Sequence, residues 1–214
     1  MSRITLPVLL ALSLSLMSLP AFGDTFTVYS TPIATYTSGT TDYGGGDGSG
    51  GTISSLGPFS FSSSLTESSV SGGTWATWNC PPATESCTPN VLYTNGVDTE
   101  TFTLSGSHNT AGMEIEPDNF AVETVTASFY NQANVLIDTI SLAVNGDAGA
   151  LLFALTDTTP GASISKIVVS DTAPDDFAVA QLRAGSVATT PEPATLSLMG
   201  LGLLGLGFYR KARR

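Results

Sequence analysis

The sequence predicts an all-β fold, an antiparallel β-sandwich, placed between an N-terminal signal helix and a C-terminal transmembrane helix. Three observations support this fold class. Apolar and polar residues alternate with a period of two through much of the chain, which is typical of half-buried strands. Turn signals follow every 10 to 15 residues, and no amphipathic helix of 12 or more residues appears between the two ends.

The predicted strands follow one another with short, turn-like breaks. Thr, Val and Phe are enriched in these segments, as is usual for strands. The segments are Thr25–Val28, Thr101–Leu104, Met113–Glu116, Thr124–Phe129, Leu151–Leu155, Ile164–Val169 and Phe177–Leu182. The breaks include Asn95-Gly96, Asn145-Gly146, Pro160-Gly161 and residues 173–176.

A Gly/Ser-rich stretch near residues 39–73 interrupts this pattern. Its first part reads GTTDYGGGDGSGG and has no apolar periodicity, so it predicts a flexible loop. Asp42 and Asp47 lie among the glycines, but the spacing of an EF-hand calcium loop is absent. No Lys-Ser/Thr follows the glycines, which argues against a phosphate-binding loop.

The N-terminus has the three parts of a secretory signal peptide over residues 1–23. Arg3 precedes an apolar run from Ile4 to Leu19, and small residues stand at Ala21 and Gly23. The mature domain is therefore expected to span residues 24–188 outside the cytoplasm.

The C-terminus predicts a short membrane anchor. Residues 194–209 form a nearly uncharged stretch, somewhat shorter than the ~20 residues of a full membrane span. The basic tail of Arg210, Lys211, Arg213 and Arg214 should stay on the cytoplasmic side of the inner membrane.

Pro191, Glu192 and Pro193, the apolar stretch and the basic tail together resemble the PEP-CTERM sorting signal of Gram-negative bacteria, over residues 189–214. The resemblance implies that an exosortase, a transpeptidase-like membrane enzyme, recognises the Pro-Glu-Pro motif and processes the chain near it. It also implies a place at the cell surface or in an extracellular matrix, with exopolysaccharide and biofilm as the setting. The alternative is a permanent single-pass anchor.

Residues 111–184 resemble a domain that is common among PEP-CTERM proteins. The similar segments are Gly112–Pro117, Asn145–Phe153 and Asp176–Leu182. This resemblance implies a jelly-roll β-sandwich of the carbohydrate-binding-module type. It concerns strand-core patterns, so it informs the fold more than the activity.

The charge distribution excludes nucleic acid as a partner. The chain has a formal net charge of -11, and between Asp24 and Thr190 only Lys166 and Arg183 are basic against 17 acids. Such a surface repels phosphate backbones.

Cys80 and Cys87 are the only cysteines and are expected to form a disulfide in an oxidising compartment. Zinc would need two further soft or imidazole ligands, and the chain offers only His108. The C-x-x-C spacing of a redox pair is missing. His108 lies in a polar turn without a Gly-x-Ser-x-Gly motif, so a catalytic triad is not expected.

Glu114 and Glu116 lie two residues apart on one predicted strand and should face the same side, with Cα atoms ~6.5 Å apart. This spacing is compatible with the carboxyl pair of a glycosidase, but a solvated sheet face explains it more simply. Any cofactor is expected to be a structural Ca²⁺ only. Its candidate ligands would converge if the first and last strands of the jelly-roll segment were neighbours. They are Glu116, Asp118, Asp175 and Asp176.

Four aromatic residues are candidates for a sugar-stacking platform, although Trp more often fills a core. They are Trp75, Trp78, Tyr36 and Tyr43. The leading functional hypothesis is a non-enzymatic structural or adhesive role with extracellular polysaccharide. The alternatives are a glycan-binding module with a defined site and, behind it, a glycoside hydrolase.

Overall fold

The computed structural model describes residues 26–172 and 176–186, which contain twelve strands and one short helix. In chain order the elements are β1 (Phe26–Tyr29), α1 (Ala34–Gly39), β2 (Thr40–Asp42), β3 (Thr52–Leu56), β4 (Phe59–Ser69), β5 (Asn90–Tyr93), β6 (Thr99–Leu104), β7 (Thr110–Pro117), β8 (Val122–Asn131), β9 (Leu136–Asn145), β10 (Leu151–Asp157), β11 (Ile164–Asp171) and β12 (Phe177–Gly185). All named strand pairs are antiparallel, so the predicted fold class is confirmed.

The predicted signal helix, transmembrane segment, Pro-Glu-Pro motif and basic tail lie outside the described residues. Within the described ranges, no helix has the length and apolar character needed to cross a membrane.

The strands form one hydrogen-bonded ribbon that folds over on itself. Its order is β1-β10-β7-β12-β5-β4-β6-β11-β8-β9, with β2 beside β12 and β3 beside β4. Because β7 contacts β8, β9 and β11 across the interior, the two ends of the ribbon face each other as the layers of a jelly-roll-like sandwich. Met113 and Phe153 from one layer share a core with Phe129 and Ile167 from the other.

The alternation seen in the sequence decides which side chains enter this core. On β8, Val125, Ala127 and Phe129 are fully buried. The outer face of the same strand pairs polar groups across to β9, where the Thr126 and Ser141 hydroxyls lie 3.1 Å apart. Period-two patterning therefore places the apolar set inside and the hydroxyl set in solvent.

The prediction of a Gly/Ser-rich loop near residues 39–73 is wrong in its larger part, because β2, β3 and β4 occupy much of this stretch. In β4 the apolar residues Phe59, Phe61 and Leu65 alternate with serines, and Phe59 and Leu65 are buried. Ser62 and Ser63 donate hydroxyl hydrogen bonds of 2.6 and 2.5 Å to the buried Glu100 carboxylate. This hydroxyl-rich segment can form a strand because Glu100 of β6 accepts the hydrogen bonds of its hydroxyl groups.

The glycine-rich segment before β3 is folded around the carboxylate of Glu67. The Asp47 amide and the Ser49 hydroxyl donate to Glu67 at 2.9 and 3.0 Å. Glycines with positive φ alternate with other residues here, at Gly44, Gly46, Gly48 and Gly50. This alternation resembles an anion-binding nest, and a buried side chain of the chain itself fills it.

Candidate functional site

Strand β7 presents two glutamates on the outer face of the sandwich. Met113 and Ile115 point into the core between the layers, so Glu114 and Glu116 point outward. Both glutamates are nevertheless fully buried, which contradicts the expectation of a solvated sheet face. A third layer must therefore cover them.

That layer is the connection between β4 and β5, residues 70–89, which we call the strap. Its two ends are joined by a hydrogen bond of 3.1 Å from the Val70 amide to the Pro89 carbonyl. Trp75 and Trp78 of the strap are 7% and 4% exposed, and they form an apolar cluster with Val91 and small residues of the sheet. The strap is a long loop without regular strands that lies flat against the sheet, as in an Ω-loop.

Each tryptophan donates its indole N–H to one glutamate. Trp78 Nε1 lies 3.1 Å from Glu114 Oε2, and Trp75 Nε1 lies 3.0 Å from Glu116 Oε2. We call these four residues the clamp. A buried indole N–H and a buried carboxylate each need a polar partner, and in the clamp each one is the partner of the other.

The second oxygen of each clamp glutamate is also satisfied. The Glu85 amide donates to Glu114 Oε1 at 2.6 Å, and the Gly149 amide donates to Glu116 Oε1 at 3.1 Å. The Thr77 hydroxyl lies 3.3 Å from the same Glu116 oxygen. Every carboxylate oxygen of the clamp therefore accepts at least one hydrogen bond, and four of the five donors, the two tryptophans included, belong to the strap.

Burial raises the pKa of Glu114 and of Glu116 from 4.5 to about 7. The indole and amide donors oppose this shift, because they stabilise the charged carboxylates. Burial beneath the strap thus makes each carboxyl group harder to ionise than a solvated glutamate.

An ion pair fixes the far end of the strap. The Arg183 guanidinium contacts the Glu85 carboxylate through Nε at 2.6 Å and Nη2 at 2.5 Å, and Asp42 lies 3.6 Å away. A β-bulge between Ala180 and Arg183 shifts the register of β12 against β7 at this point. This bidentate geometry is the stronger form of an arginine–carboxylate contact.

The disulfide between Cys80 and Cys87 is present and closes a seven-residue separation at the tip of the strap. Beside it a groove of about 460 Å³ separates the strap from the residues around α1. Its lining is mainly Pro and Thr, with one carboxylate. The residues are Thr31, Pro32, Ile33, Thr37, Pro81, Pro82, Thr84 and Glu85.

The predicted calcium ligands do not assemble. Strands β7 and β12 are neighbours, as the hypothesis required, and the Asp118 amide bonds to the Asp176 carbonyl at 2.8 Å. However, Glu116 is committed to the clamp, and Asp176 accepts from the Tyr93 hydroxyl and the Gly96 amide. Asp175 lies outside the described residues. In the part of the chain that the structure describes, no group of three His, Cys, Asp or Glu could hold a metal ion.

The other candidate residues also have structural roles. His108 Nε2 lies 3.1 Å from the Ser105 carbonyl in an exposed turn. Tyr36 is fully buried against Tyr29, and the Tyr43 ring packs edge-on against Phe59. With Trp75 and Trp78 buried as well, these aromatics do not form an exposed sugar platform.

Sequence reasoning missed Glu85, Arg183 and Glu67 as organising residues. No local signal marks them, because their partners lie far away in sequence. The separation is 98 residues for the ion pair and 20 for the nest. The one usable signal was that Arg183 is one of only two basic residues in the mature domain.

The described chain is thus an antiparallel β-sandwich in which a strap seals one outer face. Beyond it, residues 189–214 match the family described as the PEP-CTERM protein-sorting motif. The chain therefore carries a PEP-CTERM sorting signal, and this motif implies export, a membrane-anchored precursor and exosortase processing.

Comparison with curated proteins finds no match. Similar solved structures include the enzymatically active domain of bacteriophage CBA120 tailspike protein 4, at 15% identity and a TM-score of 0.33, covering 60% of this chain and 19% of that one. An arabinose-bound α-L-arabinofuranosidase, MgGH51, has 14% identity and a TM-score of 0.34, covering 74% and 26%. This chain thus spans only 19% and 26% of those two chains.

A variant of CBM29-2, a family 29 carbohydrate-binding module, has 13% identity and a TM-score of 0.27, covering 79% of this chain and 99% of that one. At these identities and TM-scores, the likeness carries no conclusion about ligand or activity.

Proposed function

We propose that this protein is a non-enzymatic structural or adhesive component of the cell surface or extracellular matrix. In this proposal it is delivered by PEP-CTERM sorting and contacts exopolysaccharide. The observation that carries the non-enzymatic part is the sealed clamp. Glu114 and Glu116 are the carboxyl pair with glycosidase-like spacing, and both are fully buried with every oxygen hydrogen-bonded.

A glycosidase acid must reach the glycosidic oxygen, and its partner must reach the sugar carbon or a water. In this structure the strap occupies the space that a sugar would need. The raised pKa values follow from burial beneath the strap, and a shifted pKa also occurs at structural positions. The clamp therefore supports a stabilising role for the two carboxyl groups.

The test of the non-enzymatic role is an activity screen of the native protein on a panel of bacterial polysaccharides, with Glu114→Gln and Glu116→Gln as matched variants. We expect no release of reducing sugar from any of the three. Hydrolysis by the native protein that disappears in either variant would overturn the proposal.

Delivery is tested by intact masses of the protein from the inner-membrane and extracellular fractions of its host. A shortened extracellular form ending near Pro191 to Pro193 is expected. A chain that ends at Arg214 in every fraction would contradict processing and the matrix role built on it.

The second candidate function, a glycan-binding module, is favoured by the groove between the strap and α1. It combines apolar surface from Pro32, Pro81 and Pro82 with the hydroxyl groups of three threonines, and a sugar offers both kinds of surface. Ile33 lines the groove and is 50% exposed, so Ile33→Asp should abolish glycan-array signals. Val122→Asp, at an exposed position outside the groove, is the control. Array signals that both variants retain would exclude this groove as the binding site.

A further inference from the structure

Both ends of the described chain leave the sandwich at the same end. Phe26 pairs with Asp157, the last residue of β10. Gly185, the last residue of β12, pairs with Thr110, which pairs in turn with Thr156. These residue pairs occupy neighbouring positions at one end of the sheet, which we call the proximal end. It also carries the loops 57–58, 105–109, 132–135 and 158–163.

The opposite, distal end carries the loops 94–98, 118–121 and 146–150 together with Thr172 and Asp176. Each of its three continuous loops contains an exposed acid, at Asp98, Asp118 and Asp147. The four proximal loops contain no Asp or Glu. Asp157, which is buried, and Asp138, which is half-buried, also lie near the proximal end, so the two ends differ in the acids of their exposed loops.

Both ends carry exposed apolar residues, Phe120 and Val122 at the distal end, each 68% exposed, and a rim at the proximal end. Val135 and Leu136, at the β8–β9 turn, are 57% and 51% exposed. They line a groove of about 230 Å³ together with Asp157, which is 5% exposed, and the loop that follows it. Lys166, one of the two basic residues of the domain, reaches the same turn through its hydrogen bond to Asn134.

The sorting signal begins close to this end. Seven residues separate Ser186 from the apolar stretch that starts at Ala194, and the eight Cα–Cα steps between the two can span at most about 28 Å. The strands are about as long, since eight residues of β7 cover about 26 Å. Even fully extended, the spacer is therefore only about as long as the sandwich, and it limits how far the domain can stand from the bilayer.

We propose that the proximal end is a membrane-docking surface that rests on the lipid headgroups while the precursor is anchored. Val135 and Leu136 enter the interface, the acid-free loops face the anionic lipid, and the acids of the distal end point away from it. Anionic lipid repels the distal acids within a Debye length, so it favours this orientation over the inverted one. The inference rests on the anchored precursor that forms part of the proposed function.

The test uses the full chain reconstituted in vesicles of phosphatidylglycerol and phosphatidylethanolamine that contain a headgroup-linked nitroxide lipid. Cys80 and Cys87 form a disulfide, so one introduced cysteine can carry a fluorophore. Ala133→Cys labels the proximal end, and Ala121→Cys is the matched distal control, since both positions are exposed alanines in turns. We expect several-fold stronger quenching at position 133 than at position 121.

A second comparison separates docking from mere tethering. Val135→Glu with Leu136→Glu should reduce the quenching at position 133, because two acids then face the anionic surface. Phe120→Glu with Val122→Glu, at exposed distal positions, should leave it unchanged. Equal quenching at 133 and 121, or no response to the proximal acids, would overturn the proposal.

Vesicle flotation distinguishes a failure of the docking proposal from a failure of the membrane anchor. A chain that floats with vesicles yet shows equal quenching is anchored without docking, and only this inference falls. A chain that does not float lacks the anchor itself, which overturns both the docking surface and the sorting route. A polysaccharide hydrolase activity would remove the non-enzymatic role and leave the quenching result intact.

Discussion

The hydrogen bond between Trp78 and Glu114 can be measured as a coupling free energy. Trp78→Phe removes the indole donor and keeps an aromatic ring, and Glu114→Met removes both carboxylate oxygens and keeps about the same side-chain length. Because the indole N–H points at Glu114 Oε2 at 3.1 Å in a buried site, the bond is a charge-assisted one when Glu114 is ionised. Such bonds contribute about 1.5 to 3 kcal/mol, against about 1 kcal/mol for a neutral pair.

We expect a double-mutant cycle to give a coupling of about 2 kcal/mol at pH 8.5, above the raised pKa of Glu114, which is about 7. At pH 5.5 the carboxyl group is protonated in the folded state, and the coupling should fall to about 1 kcal/mol or less. For a domain of this size, 2 kcal/mol corresponds to a change in Tm of about 4 to 8 °C.

Urea unfolding followed by circular dichroism measures the four free energies of the cycle. A second cycle between Trp78 and Glu116, which share no hydrogen bond, serves as the control and should couple much more weakly. A coupling below about 0.5 kcal/mol at pH 8.5 is within the error of additivity and would refute the charge-assisted bond. A coupling of equal size at both pH values would refute its dependence on ionisation.

Three further outcomes are expected. First, the pKa values of the clamp glutamates are raised by folding, so the stability they contribute is fully present below about pH 4.5 and is lost as pH rises through about 7. The urea concentration at the unfolding midpoint of the native protein should decrease as the pH is raised from 5 to 8. It should decrease less in the variant with Gln at both positions, and a native midpoint that does not change with pH would contradict this. Second, Cys80→Ser should lower the unfolding free energy by about 2 kcal/mol in denaturant titrations, because the loop closed by the disulfide is short. A denaturant midpoint that neither this substitution nor added reductant changes would contradict a stabilising role of the disulfide. Third, Gly46→Ala should lower the free energy of unfolding by about 1 kcal/mol more than Gly50→Ala does. Both glycines have φ of +81°, but only at Gly46 would a Cβ lie 2.5 Å from Glu67 Oε1, so equal losses of Tm would refute the packed nest.

The core of the sandwich could be predicted from the sequence because its signal is local. Val125, Ala127 and Phe129 alternate with hydroxyl residues, and the structure buries the apolar three. The same rule applied to β4 would have found Phe59 and Leu65, but the intervening serines read as low complexity. Composition misled there because Ser62 and Ser63 are satisfied by Glu100, which lies 38 and 37 residues away.

The clamp could not be predicted for a related reason. The alternation correctly placed Glu114 and Glu116 on the face opposite Met113 and Ile115. Whether that face meets water depends on the strap, and its tryptophans lie 36 and 41 residues from their glutamates in sequence. Nothing within β7 indicates a covering layer. Solvated carboxylates and carboxylates held by indole donors have the same local pattern.

The position of β12 has a consequence for the order in which the protein matures. This last strand lies between β7 and β5 in the ribbon and also pairs with β2, so it joins the two halves of the hydrogen-bonded sheet. A chain that emerges from its N-terminus during export cannot close the sheet until Gly185 has crossed. The sorting motif begins at residue 189, only four residues later. Completion of the fold, which depends on these long-range pairings, therefore requires export of nearly all of the chain that precedes the sorting motif.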